Sequence, residues 1–326
     1  FSGRHGIDMS RSPNQWLRNG SSVTFTAFAS LAGFTAYFSM YAFRKPFTAA
    51  SFDGVDGWHY ALDFKIALVL AQLIGYAASK FIGIKVISGM QPAYRAQAIL
   101  GLIGVSWLAL VVFAVVPALF KVPAMFLNGL CLGMIWGLVF SYMEGRRTSE
   151  VLGAVLCASF IVSSGAVKSV GILLIQLVRV PVFWMPAATG LVFVPLLLLS
   201  VWGLSVLPPP DAADEAARVR RAPMTGREIR DFLRDYGLGI ALLVTIYVFV
   251  TALRDFRDNF AAELWTALGY SNPASVFTAT ELVVAAVALV AMGIVVKVRS
   301  NTRALAVIHA LILAGLLLLG ASTLAF

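Results

Sequence analysis

Arg44 and Lys45 stand side by side at the end of a long apolar run, in SMYAFRKPFTAASF (39–52), and Arg254 closes a second run in ALRDFRDNFAA (252–262). A guanidinium can clasp two oxygens of a carboxylate or phosphate in a planar fork, a geometry unavailable to an ammonium. These residues therefore raise the chemistry of anion binding. A cation flanking a membrane helix and snorkelling to the interface is the plainer alternative. Asp255 and Asp258 also offer local partners to Arg254 and Arg257. Lys168 has no such exit. It lies deep in an apolar run after SSGAV, with Ser163, Ser164 and Ser169 nearby. A basic residue at mid-membrane costs about 2.5–3.5 kcal/mol on insertion scales, so Lys168 is expected to face a water-filled cavity. Lys80, Tyr41, Gln72 and Tyr76 complete the substrate-binding set, with Lys80 equally readable as a helix flank and Gln72 and Tyr76 as packing residues. Glu281 and His309 are candidates for proton coupling, against a salt-bridge role for Glu281 and a structural one for His309.

The elements that must position these residues follow from composition. Of 326 residues, 60% are hydrophobic and 13% charged, and the mean hydropathy is +0.85. That balance describes an all-α integral membrane protein. Nine runs are long enough to span a bilayer as helices: 22–43, 64–87, 96–117, 122–142, 150–177, 182–206, 236–254, 273–297 and 303–326. Glycines in GLCLGMIWG (129–137) allow close helix contact. Cys131 and Cys157 fall inside apolar runs and read as small core residues. The first twenty residues are polar, without the apolar core of a signal peptide; the start at Phe1 and the stop at Phe326 suggest a fragment or truncated reading frame.

Between the sixth and seventh runs, LPPPDAADEAARVRRAPMTGREIRDFLRDYG (207–237) is charged and opens with three prolines. It reads as an aqueous, partly helical connector. The expected organisation is a six-helix bundle over 1–206, a connector over 207–236 and a second, incomplete bundle over 237–326. Basic residues flank the runs unequally, seventeen on the connector's side against seven on the other. The positive-inside rule then puts the N-terminus and connector in the cytoplasm and the protein in the inner (cytoplasmic) membrane. The net charge of +9 is explained by this topology, so no nucleic-acid partner is expected. In the loop SYMEGRRTSE (141–150), Glu144, Arg146, Arg147 and Glu150 read as a salt-bridge latch or as topology determinants.

The stretches AFRKPFTAA (42–50) and ALRDFRDNFAA (252–262) echo one another, each opening with Ala, an apolar residue and Arg and closing on Phe and two alanines. Such an echo fits a duplicated transporter whose two halves face each other. YAFRKPFTAA (41–50), GYAASKFIGIKVISG (75–89) and ALRDFRDNF (252–260) together resemble motifs of the major facilitator superfamily, in its organophosphate:phosphate antiporter branch. The resemblance implies a helical bundle of twelve spans, of which about nine are present, with Arg44 and Arg254 binding substrate and Lys45 and Lys80 beside them. Two features depart from it. KVISGMQPAYR (85–95) lacks the superfamily's acidic loop residue, and CASFIVSSGAVK (157–168) has Ser159 where the branch carries a histidine. Lys168 is expected to replace part of that histidine's charge.

The residues offer no metal-spaced His/Cys/Asp set, no nucleophile elbow and no phosphate loop, so an enzyme is not expected, and neither a metal nor a cofactor. The expected function is alternating-access transport of a small organic anion, phosphorylated or carboxylated, by a monomer whose other partner is the lipid bilayer. A membrane anion sensor and a proton-coupled symporter are the alternatives.

Overall fold

The computed structural model describes residues 13–52, 54–211, 214, 225–270, 273–298 and 300–325. Arg4, Arg11, Arg218, Arg220, Arg221 and Arg299, which enter the charge asymmetry, lie outside the described residues.

All regular structure in the described residues is helical. A short α1 (Pro13–Asn19) precedes α2 (Ser22–Tyr41), α3 (Phe64–Ser88), α4 (Arg95–Val115), α5 (Ala118–Leu132), α6 (Ile135–Phe140), α7 (Ser149–Leu177) and α8 (Met185–Ser205). After the connector come α9 (Gly226–Asn259), the short α10 (Ala261–Ala267), α11 (Pro273–Val296) and α12 (Asn301–Leu324). Among the described residues nine helical spans have the length and apolarity to cross a bilayer, α5 and α6 together forming one of them. They coincide with the nine apolar runs, and the chain is a multi-pass membrane protein.

Local chemistry sets the ends. Ser21 accepts the amide of Thr24 at 3.1 Å to start α2, and Asp63 accepts that of Ile66 at 3.0 Å to start α3. Thr225 and Glu228 form a reciprocal capping box, so α9 begins ten residues before the apolar run at 236 and the last part of the connector is helical. The fourth run is interrupted beyond Leu132 and resumes as α6 at Ile135.

Most of the packing lies between α2 and α8. α3 packs on α5, α5 on α4, and α2 on both α7 and α8. Close approach is the mechanism. A methyl group on Gly129 would sit 2.1 Å from the Gln72 carbonyl oxygen, and one on Gly75 would sit 2.2 Å from that of Phe126. Between membrane helices, where lipid is as apolar as leucine, such backbone contact supplies much of the attraction. Phe43, Phe47, Phe113, Met40, Leu68 and Met125 fill the centre. Beyond the connector only α11 joins this body extensively, against α7. α9 is mostly exposed along its apolar length but returns to the body at its end, where Asp258 and Asn259 are buried.

Candidate functional site

α2 ends at Tyr41, and the chain turns through Ala42–Lys45 into a 3-10 turn at Pro46–Ala49. The proline starts that turn because its fixed φ suits a first helical position and its missing N–H is not needed there. The turn carries Arg44 and Lys45 inward. Asn128 on α5 fixes it from below, donating to the Phe43 carbonyl at 3.0 Å and to Ser106 Oγ at 2.7 Å. Gln72 on α3 donates to the Arg44 carbonyl at 3.0 Å and to Asn128 Oδ1 at 2.8 Å. Gln72 therefore holds the backbone of the site.

Arg44 is 8% exposed, and its guanidinium carbon lies 4.0 Å from the ring centre of Tyr76 and 5.7 Å from that of Tyr41. Nη1 makes one long contact, 3.5 Å, to the Tyr41 hydroxyl. Nε is buried with no hydrogen-bond partner. The Tyr37 and Tyr76 hydroxyls meet at 3.3 Å beside it. Among the described residues no carboxylate forms an ion pair with Arg44. Aromatic faces attract a cation, but they do not satisfy its N–H groups.

Next to this unpaired charge lies a paired cluster. Lys45 Nζ is 2.5 Å from Asp258 Oδ2 and donates to Asn259 Oδ1 at 2.7 Å. Lys168 Nζ is 2.6 Å from Asp258 Oδ1 and also donates to the Asp258 carbonyl, and Ser164 Oγ donates to the same carboxylate. One carboxylate on α9 is thus shared by two ammonium groups from the first six spans. Lys65 extends the seam, reaching Glu263 on α10 at 2.5 Å and the Thr48 carbonyl at 2.8 Å. Ser169 and Thr278 share a hydrogen bond of 2.7 Å between α7 and α11. The two echoed stretches do meet, through Lys45 on one and Asp258 and Asn259 on the other.

The remaining candidates are placed unequally. Arg254 lies within electrostatic range of Arg44, but its side chain is half exposed; it pairs with Asp255 at 2.8 Å and sits over the Phe160 ring. Arg257 and Glu281 pair at 2.8 Å, so Glu281 balances Arg257 and Asp258 belongs to the lysines. Lys168 is buried in the ion cluster and borders a cavity of about 720 Å³ with Arg257 and Glu281. Lys80 is exposed on α3, its ammonium 5.1 Å from the Tyr76 ring centre. His309 sits on exposed α12, its Nδ1 2.8 Å from the Leu305 carbonyl of its own helix.

The expected latch in the 141–150 loop is corrected. Arg146 and Arg147 lie 4.0 and 3.7 Å from Asp214 of the connector, and Arg146 also donates to the Pro208 carbonyl. An acid reached across the connector takes the place of Glu144 and Glu150. Sequence reasoning also passed over Asn128, Tyr37, Lys65 and Glu263. Asn128 had a signal, as a lone amide within FLNGLCLG.

A model of a protein family described as a family of unknown function (DUF5690) matches residues 46–326, and the chain belongs to that family. No curated protein matches it, and no solved structure does.

Proposed function

We propose that this family member is a secondary carrier of a small organic anion, phosphorylated or carboxylated, working by alternating access in the manner of the major facilitator superfamily. The observation that carries the reading is Arg44. A permanent charge is buried in a membrane protein, faced by phenol rings, with no acid in an ion pair with it among the described residues. Buried charge without a counter-ion is costly, and an anion that arrives from outside supplies the missing partner. The free Nε and the hydroxyl groups of Tyr41 and Tyr76 are the donors that a carboxylate or phosphate oxygen needs.

The seam of Lys45, Asp258, Lys168, Lys65 and Glu263 gives the carrier a closed end. It joins the first six spans to the helices after the connector. Rocking the halves apart at this end separates Asp258 from two ammonium groups. An anion on Arg44 adds the negative charge that those ammonium groups lose, so loaded protein crosses more readily than empty protein, and exchange dominates. The charge asymmetry supports an orientation in which this end faces away from the cytoplasm, in the inner (cytoplasmic) membrane. No step of this cycle needs bond chemistry, and the protein is read as a non-enzyme.

The test is counterflow in proteoliposomes preloaded with unlabelled anion, screened over phosphorylated and carboxylated metabolites. Labelled anion should accumulate transiently with wild-type protein and fall to the protein-free rate with Arg44→Ala. Saturable binding without flux would replace the carrier with a sensor, and neither binding nor flux across the screen would overturn the reading.

A further inference from the structure

A second cavity, of about 740 Å³, lies at the same end of the bundle as Arg44 but outside the central site. It is bounded by residues 49–52 and 54–56, the α4–α5 turn at Val116–Ala118, and Val182 and Phe183. Its volume is in the range of pockets that hold small organic ligands. Lys121, one turn into α5, borders it and is 5% exposed. The ammonium donates to the Phe113 carbonyl at 2.6 Å and the Ala114 carbonyl at 3.4 Å, closing the last turn of α4. Among the described residues those two contacts leave one of its three donors without a partner. Among the described residues no carboxylate forms an ion pair with it.

The surroundings of this charge are aromatic. Its nitrogen lies 4.1 Å from the ring centre of Phe183 and 5.2 Å from that of Phe113. Phe52 stacks on Phe183 at 5.4 Å and is buried, although its φ is +59°, a conformation that bulky residues rarely adopt. Backbone held in such a region is found where a chain must present a side chain at a fixed place, ligand sites included. α5 begins at this cavity without a side-chain cap and with no acid in its first turn, so its positive end adds to the ammonium's field.

We propose that this cavity is a binding site for a monocarboxylate with an aromatic or branched apolar body. The carboxylate pairs with Lys121 and the body lies against Phe52 and Phe183. One ammonium and a helix end match a single negative charge. Exposed Asp56 at the rim repels a dianion, which separates this chemistry from that of a phosphate ester.

Phenylacetate is the probe, titrated calorimetrically into purified full-length protein in detergent, with benzyl alcohol as its uncharged counterpart and phenyl phosphate as the dianion. Saturable phenylacetate binding is expected, with at least tenfold weaker binding of both controls. Lys121→Met should weaken phenylacetate at least tenfold. Ser51→Trp, which puts a bulky ring into the cavity from an exposed position and leaves Lys121 itself unsubstituted, should abolish binding and decides the matter should Lys121→Met not fold. Ser51→Trp, outside the residues of the central site, should leave counterflow of that site's substrate at the wild-type rate, so this site and the central one succeed or fail separately. Absence of saturable binding, equal binding of benzyl alcohol, or undiminished binding by Ser51→Trp overturns the proposal.

Discussion

Arg44 follows the end of α2 and Arg254 lies in the last turns of α9, within stretches that echo one another, yet their surroundings are opposite. Arg44 is buried against tyrosine rings with an idle Nε, whereas Arg254 is half exposed and neutralised by its neighbour Asp255. The likeness of the two stretches does not extend to the surroundings of their arginines. An arginine's neighbours decide whether its charge is available. On the carrier reading, the first arginine would be the one open to an anion in this conformation, and the second would first have to leave Asp255.

The comparison is broken or sharpened most strongly by paired substitutions. Arg44→Lys keeps the charge but loses the planar fork, and counterflow should fall at least a hundredfold. Arg254→Lys should reduce it only about three- to tenfold. Equal losses would mean that both arginines bind together in a state other than this one.

Next in size is the cluster beside Arg44. Asp258→Asn leaves the Lys45 and Lys168 ammonium groups buried without their shared counter-ion. Removing one partner of a buried pair costs about 3–5 kcal/mol, so the thermal unfolding temperature in detergent should drop by several degrees. Asp255→Asn, on exposed Arg254, should change stability by less than about 1 kcal/mol. Similar drops for the two would erase the distinction between the paired interior and the solvated rim.

The smallest effect concerns the ring under Arg44. Tyr76→Leu removes the cation–π contact and one hydroxyl, worth about 0.5–2 kcal/mol, and anion affinity measured by binding should fall about two- to thirtyfold. Tyr76→Phe keeps the ring but loses the donor hydroxyl, so affinity should fall by less than with Tyr76→Leu.

Much of this was legible in the sequence, for identifiable reasons. Spans are fixed by bilayer thickness, so an apolar run of adequate length announces a helix whatever its partners are. Arg44 was legible because charge in such a run is costly. Asp258 was legible as an acid, but its choice of Lys45 and Lys168 over Arg257 depends on how the end of α9 crosses α7, which no local pattern encodes. Asp214 reaches Arg146 and Arg147 from more than sixty residues away, so the loop's own Glu144 and Glu150 were the only partners that proximity in sequence could suggest. The early start of α9 was encoded, in Thr225 and Glu228, but in a polar segment where hydropathy carries no signal.

The seam between Gly129 and Gln72 has a mechanical corollary. With no side chain interposed there, α3 and α5 have no cushion, and Gln72 itself grips both Asn128 and the Arg44 carbonyl. A tilt of α3 is therefore delivered undamped to the peptide that carries the arginine. The pair works as a stiff lever, and the compliance needed for any rocking must be found elsewhere in the chain.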